Sequence, residues 1–368
     1  MPEGRGRALV VPGGLPGPSG GSAYDRRVLE ELRAAGLEVG EERIPGRWPT
    51  PGPADRDELR RALARHDDVV VDGLIASAAP DELAAARASG TRVTVLVHLP
   101  LALEGGRAGA GAGSGSGPGA GDDALALAAA ERRALVGADA VVATSRWTRE
   151  DLAVRHGLTR VAVATPGVDP ARLARGSRPP RLLVLGALTP RKNAVAALEA
   201  LAALEAPGAR PATRFSALVV GPEGADPAYA SAVRGTAARL GPHVEVLGPR
   251  TGEELDAVWD GCDLLVLPSL AETYGMVVTE ALARGVPAVV AAGTGAVEAL
   301  RGDGVRADLP LPGAAVDVTD GASLAAVLER WLADATLRAE WSRAARRHRE
   351  HLSGWDATAV RIREAIGW

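Results

Sequence analysis

The 368-residue chain reads as an α/β protein of two domains, each a parallel sheet with crossover helices. Three observations predict this. The length exceeds the roughly 250–300 residues at which single cores stop growing. Short apolar runs alternate with helical patterns along the whole chain, the signature of buried parallel strands and their crossovers. The scheme also restarts after residues 169–180, whose Arg, Gly, Ser and Pro content suits an interdomain linker.

In the first half the pattern predicts a strand over 8–11, the loop PGGLPGPSGGS and a helix over 23–35. Strands follow over 69–71, 91–97, 140–143 and 161–164, with helices over 122–136 and 149–156. Residues 105–121 are nearly all Gly, Ala, Ser and Pro. Such a stretch buries little and loses much entropy on ordering, so a mobile loop is expected, either a lid or a passive insertion. The second half repeats the scheme, with strands over 181–185, 217–220, 244–247, 264–267 and 288–291 and helices such as 194–204 and 253–259. The end, GWDATAVRIREAIGW, predicts a helix from 356 with Val360, Ile362 and Ile366 as its apolar stripe and Trp355 and Trp368 as anchors.

Composition narrows the function classes. A formal charge of -4 gives no general case for nucleic-acid binding. The single cysteine, Cys262, cannot form an internal disulfide; it reads as a core thiol and favours a cytoplasmic location. The first apolar stretch is too short for a leader peptide, and no run of about 18 apolar residues could span a membrane. Six histidines without a close cluster argue against zinc. One Phe and three Tyr leave Ala, Leu and Val to build the core.

Two segments of the second half carry chemistry. AETYGMVVTE sets Glu272 and Glu280 where the strand over 264–267 passes through Pro268 and Ser269 into a helix. LGALTPRKN, after the strand over 181–185, supplies Arg191 and Lys192. Open α/β sheets bind ligands beyond the carboxyl ends of their strands, and a helix N-terminus there favours phosphate. Together they predict a site for an anionic, hydroxyl-rich ligand such as a nucleotide joined to a sugar.

The run LPSLAETYGMVVTEALARGVPAVVA resembles the glutamate-pair motif of the family-4 glycosyltransferases, with Tyr274 where Phe is commoner. GALTPRKN resembles the phosphate loop of that family, with Lys192 at its lysine. Ala187 stands where many members carry arginine, which makes Arg191 the candidate second cation. In the first half, the glycine loop 13–21 resembles the loop that approaches the donor phosphate, and VHLP at 97–100 the segment lining the reaction centre. ATSRWTREDL resembles the serine-containing strand end and helix, and TPGVD the turn before the linker.

This resemblance implies the GT-B architecture: two Rossmann-like domains facing across a cleft. Residues 1–172 would form the acceptor-side domain with the loop 105–121, residues 173–352 the nucleotide-sugar donor domain, and residues 353–368 a crossover helix packing on the first domain. It implies a retaining enzyme that moves a hexosyl unit from a UDP- or GDP-hexose to an acceptor hydroxyl. Lys192 and Arg191 would stabilise the leaving diphosphate, Glu272 would hold the sugar, Glu280 the ribose, and His98 would touch the sugar beside the reaction centre. Gly14, Gly20 and Gly21 would approach the phosphate, the amides of Thr273, Tyr274 and Gly275 would add dipoles, and Arg250 would lie near the base.

No Asp-x-Asp motif is present, so neither metal nor cofactor is expected. Alternatives are a non-catalytic nucleotide-sugar-binding protein of the same fold and a nucleotide-sugar epimerase. A dinucleotide oxidoreductase is disfavoured because no compact Gly-x-Gly-x-x-Gly follows the first strand. The acceptor stays open among small molecules, natural products and glycolipids. Peripheral membrane contact through Arg56, Arg60, Arg61 and Arg65 competes with ordinary solvation beside Asp57 and Glu58. Asp25, Arg26 and Arg27, just past the glycine loop, read either as acceptor contacts or as exposed helix charges. Ser145 and Arg146 are weaker candidates for an acceptor or phosphate contact.

Overall fold

A computed structural model of the protein describes residues 6–14, 19–105, 120–205, 214–302 and 309–368. Residues 106–119 of the glycine-rich stretch and 15–18 of the first glycine loop lie outside them. The chain divides into two compact units, Met1–Gly167 with Gly354–Trp368, and Val168–Ser353.

The first unit runs β1 (Arg7–Pro12), α1 (Gly20–Ala34), β2 (Val39–Ile44), α2 (Pro53–Leu63), β3 (Asp68–Asp72), α3 (Gly73–Ala78), α4 (Pro80–Ala88) and β4 (Arg92–Val97). It continues through α5 (Leu101–Gly105), α6 (Ala120–Gly137), β5 (Ala140–Ala143), α7 (Arg146–His156) and β6 (Ala162–Val163). Its strands are parallel in the order β2-β1-β3-β4-β5-β6. Val10, Val71 and Val95 pack on one face while Leu9, Val70 and Leu96 are buried on the other. Burial on both faces explains why these strands read as unbroken apolar runs.

The second unit runs β7 (Arg181–Leu185), a 3₁₀ turn (Pro190–Lys192), α8 (Ala194–Leu204), β8 (Ser216–Val220), α9 (Pro227–Leu240), β9 (Val244–Gly248) and α10 (Gly252–Asp260). It continues through β10 (Leu264–Leu267), α11 (Met276–Ala283), β11 (Ala288–Ala291), α12 (Ala296–Arg301), β12 (Gly313–Val316), α13 (Gly321–Ala333) and α14 (Ala335–Arg349). The parallel order β12-β11-β10-β7-β8-β9 is doubly wound, with its switch point between β7 and β10. Leu182, Val219 and Val266 pack with Trp331 on one face, and Leu183, Leu265 and Val290 with Trp259 on the other. Cys262 belongs to the latter cluster at 1% exposure, and burial followed by the charge of Asp263 pushes its thiol far up. Residues 169–180 are tied along this unit: Ala174 N donates to Arg284 O at 2.9 Å and Gly176 N to Asp260 O at 2.9 Å.

The last helix, α15 (Trp355–Ile366), belongs to the first unit and packs on α1. Trp355 meets Tyr24 edge-on at 5.6 Å, and Thr358 Oγ1 donates to Thr165 O at 2.8 Å. The expected stripe needs one correction. Trp355, Ala359, Ile362 and Ile366 are buried, but Val360 is 47% exposed. At about 100° per residue, position 360 points nearly opposite to 362. No helix among the described residues is long and apolar enough to cross a membrane.

Candidate functional site

Pairing of β7 with β10 makes the loops beyond their carboxyl ends neighbours. The 3₁₀ turn ends at Asn193 with a left-handed φ of 56°, and Lys192 Nζ comes to 2.5 Å from Glu272 Oε2. Backbone bonds zip the loops together, because Leu270 N donates to Arg191 O at 2.8 Å. Arg191 Nη1 in turn donates to Ala271 O at 3.2 Å. Burial would raise the Glu272 carboxyl, but the charge and hydrogen bond of Lys192, the charge of Arg191 and the Ser269 hydroxyl hold it below the usual carboxylate range.

Sequence reasoning missed the clamp on this loop. Gly295 N donates to Glu272 O at 2.7 Å, and a Cβ at Gly295 would lie 1.8 Å from Thr273 O. Only glycine permits that approach. Gly275 then caps α11, whose first amides have no acceptor within the helix. The Tyr274 ring is packed in the core, so its backbone is what it can offer a ligand.

On α11, burial pushes the partly buried Glu280 carboxyl up to about 7, with Asp169 adding to the rise and Arg284 opposing it. Arg284 binds the Glu280 carbonyl at 3.2 Å and the Asp256 carboxylate at 2.9 Å. No described side chain donates to the Glu280 carboxylate itself, which leaves its oxygens available to hydroxyl donors. Arg250 follows the outer strand β9 and folds onto its neighbour, Pro249 O, at 2.9 Å. It is not joined to the Lys192–Glu272 group.

In the first unit, His98 stands just past β4. Its Nε2 lies 2.8 Å from Asp25 Oδ1 on α1 and 3.6 Å from Asp72 Oδ2 at the end of β3. Asp72 Oδ1 also caps α3 by accepting from Leu74 N at 2.6 Å. Burial would lower the imidazole, but Asp25 and then Asp72 raise it to about 9. Burial and the Asp25 charge push Asp72 up to about 7, against the pull of His98 and the Leu74 amide. A Cβ at Gly21 would meet His98 Cδ2 at 3.2 Å, so glycine lets the ring lie against the first turn of α1. Gly20 opens that helix behind the N-cap Ser19, while Gly14 has a φ of +84° and open space around it.

Asp25 is not an exposed helix charge: it is 5% exposed and faces His98. Its neighbours Arg26 and Arg27 pair with Glu30 at 2.7 and 2.9 Å. Folding thus creates a His–carboxylate cluster that the scattered histidines did not announce. Its ligand atoms lie within 4.8 Å of one another, close enough for a metal ion. His98 Nε2 and Asp25 Oδ1 share one hydrogen bond at 2.8 Å.

Other candidates have structural partners. Ser145 caps α7, accepting from Thr148 N at 2.9 Å. Arg56 and Arg60 each lie 3.0 Å from Glu82, Arg61 lies 2.7 Å from Glu58, and Arg65 lies 2.5 Å from Glu42. Those pairs favour ordinary solvation over a lipid-facing cationic surface.

Comparison with known proteins follows the same division. The family described as "Glycosyl transferases group 1" matches residues 168–348, and "Glycosyltransferase Family 4" matches residues 17–172. A D-inositol 3-phosphate glycosyltransferase of Salinispora arenicola is 34% identical over 260 residues, spanning 64% of this chain and 56% of the relative. One from Rhodococcus opacus is 31% identical over 251 residues, spanning 64% and 54%. The match therefore spans about half the length of these relatives.

Among solved structures, a sucrose-phosphate synthase from Thermosynechococcus elongatus superposes with a TM-score of 0.74 at 18% identity, covering 97% of this chain and 98% of that one. Anabaena HepE in complex with UDP-glucose gives 0.71 at 16%, covering 98% and 99%. These likenesses establish the fold.

Proposed function

Because the chain belongs to the family-4-like glycosyltransferases of GT-B fold, we propose that it transfers a hexosyl unit from a nucleotide-sugar, a UDP- or GDP-hexose, to an acceptor hydroxyl. The observation that carries this reading is the Lys192–Glu272 pair, drawn from positions 80 apart to 2.5 Å at the switch point of the second sheet. A cation and a carboxylate side by side there suit the two ends of the scissile bond. As the glycosidic bond breaks, negative charge grows on the departing diphosphate; Lys192 and Arg191 stabilise it, together with the amides of Thr273 to Gly275. Glu272, held ionised, accepts hydrogen bonds from sugar hydroxyls. Glu280 accepts from the ribose, and Gly14, Gly20 and Gly21 leave room for the phosphate. His98 meets the sugar, and Arg250 lies near the base.

Retention follows if the acceptor hydroxyl enters on the leaving-group face and the departing phosphate helps to take its proton. The two cations supply the charge that a divalent ion would otherwise bring.

Calorimetric titration with UDP, GDP, ADP and dTDP, alongside Lys192→Ala, tests the donor site. One diphosphate should bind, at least about tenfold more weakly in the variant. If none binds the folded protein, or the variant binds equally well, the assignment is wrong. An acceptor panel under the matching donor starts with D-inositol 3-phosphate, after the name of the relatives. The anomeric configuration of the product, read by NMR, tests retention.

A further inference from the structure

The imidazole of His98 is gripped from one side only. Nε2 faces Asp25 at 2.8 Å and Asp72 at 3.6 Å, whereas no described residue hydrogen-bonds Nδ1. Both carboxylates are themselves buried, at 5% and 6% exposure, and neither has a cationic side-chain partner other than this ring among the described residues. Two desolvated carboxylates facing one ring nitrogen stabilise a positive charge on that ring more than any neutral tautomer.

We infer that Asp25 and Asp72 are positioning residues that keep His98 a fixed imidazolium, its Nε2–H directed to the carboxylates and its Nδ1–H presented as a charged donor to a substrate oxygen. The sequence offers Asp25 only as an acceptor contact or a helix charge and gives Asp72 no part in the reaction. The consequence for turnover rests on the proposed sugar contact of His98; the charge state of the ring does not.

The two carboxylates shift the imidazole, and Asp25 shifts Asp72, towards the protonated form. His98 keeps its proton up to about 9, while Asp72 takes up the next proton at about 7. The carboxylates thus favour the charged ring, and the ring in turn opposes the rise of Asp72. The other groups facing it are Tyr24, edge-on to the ring at 5.1 Å, and Arg361 of α15, whose charge acts on Tyr24. Tyr24 is buried and held neutral by burial first, then by the charge of Asp25, and its hydroxyl donates to Ala164 O at 2.7 Å. Neither Tyr24 nor Arg361 competes for the imidazole proton.

The test reads the ring directly. Full-length protein carrying ¹⁵N-histidine is titrated by two-bond ¹H–¹⁵N NMR, with His98→Gln identifying the resonance, and with Asp25→Asn and Asp72→Asn in parallel. In the wild type, both ring nitrogens of His98 should stay protonated past about pH 8. Asp25→Asn should lower the midpoint by about one pH unit or more, and Asp72→Asn should lower it by less. A wild-type midpoint in the ordinary range of about 6 to 7 overturns the proposal. So does a midpoint unmoved in both variants, shown folded by thermal melting.

Asn is a good helix cap, so Asp72→Asn keeps the Leu74 hydrogen bond; should it still fail to fold, Asp25→Asn decides alone. A companion readout is the pH profile of turnover. Asp25→Asn should lose kcat as pH rises through neutrality and recover it at low pH, with a smaller change in KM. A merely structural role would give a loss that is flat with pH, and an inactive wild type with a high His98 midpoint would sink the functional reading while leaving this one standing.

Discussion

The carboxyl ends of the two sheets are built in opposite ways. In the second unit the loops after β7 and β10 are joined by backbone hydrogen bonds and closed by one cation–carboxylate pair, Lys192 with Glu272. In the first unit β3 and β4 are paired as far as Asp72 and Leu96, and side chains from α1, the end of β3 and the residue just past β4 converge on one imidazole. The difference shows in how protons couple to stability. Glu272 is held below its ordinary range, so its contribution is present above that range and is lost as pH falls. His98 is raised from 6.5 to about 9, so its contribution is complete below 6.5 and is lost as pH rises through about 9. Asp72, raised from 3.8 to about 7, has the same sign, favouring the folded state when protonated. One centre is weakened by acid and the other by base.

The largest expected effect breaks the second centre. Lys192→Ala should lower kcat at saturating donor by about 10²–10³-fold, the scale seen when one donor to a developing anion is removed. Protein yield should fall far less. Equal turnover would remove Lys192 from leaving-group stabilisation.

A smaller effect separates binding from stability within the same unit. The carboxyl of Glu280 is raised from 4.5 to about 7, so its ionised form opposes folding above pH 7 and costs nothing below about 4.5. Glu280→Gln should therefore melt a few degrees higher than wild type at alkaline pH, at about 2–4 °C per kcal/mol, with no gain near pH 4.5. The same variant should bind the nucleotide about tenfold more weakly, as expected for a lost charged acceptor. A rise in melting temperature that is equal at all pH values would mean that the ionisation of Glu280 is not what opposes folding.

The smallest effect sharpens the picture of the first unit. Val360→Ser, on the exposed face of α15, should shift stability by less than about 0.5 kcal/mol, against about 2–5 kcal/mol for the buried Ile362→Ala. Denaturation midpoints compare the two, and similar losses would place Val360 in a packed interface after all.

What the sequence disclosed follows from the same contrast. Lys192 and Glu272 lie 80 positions apart, yet each sits in a contiguous motif beside a strand, so both were legible. Asp25 and His98 lie 73 positions apart, and Asp72 looks from the sequence like an ordinary strand-end acid. No local pattern marks a cluster that only tertiary folding assembles. The central strands were read from their apolar runs, whereas two outer ones were missed. β2, VGEERI, carries charges and is buried at its ends alone, and β12, GAAV, has one large side chain. Outer strands need not be apolar on both faces, which weakens their signal. Gly295 escaped notice because its task, a close approach to Thr273, leaves no trace in hydropathy.

The helix α15 has a consequence for the order in which the protein is made. Trp355 covers Tyr24 and lies under the Arg27 guanidinium at 5.8 Å, so a helix from the end of the chain completes a unit whose sheet begins at Arg7. Residues 168–353 leave the ribosome before that helix does. The Tyr24 face of the first unit stays uncovered by Trp355 while the second unit is synthesised. A chain that ends within the second unit lacks the Trp355 cover over Tyr24, so the first unit gains its last packing contacts only when α15 is present.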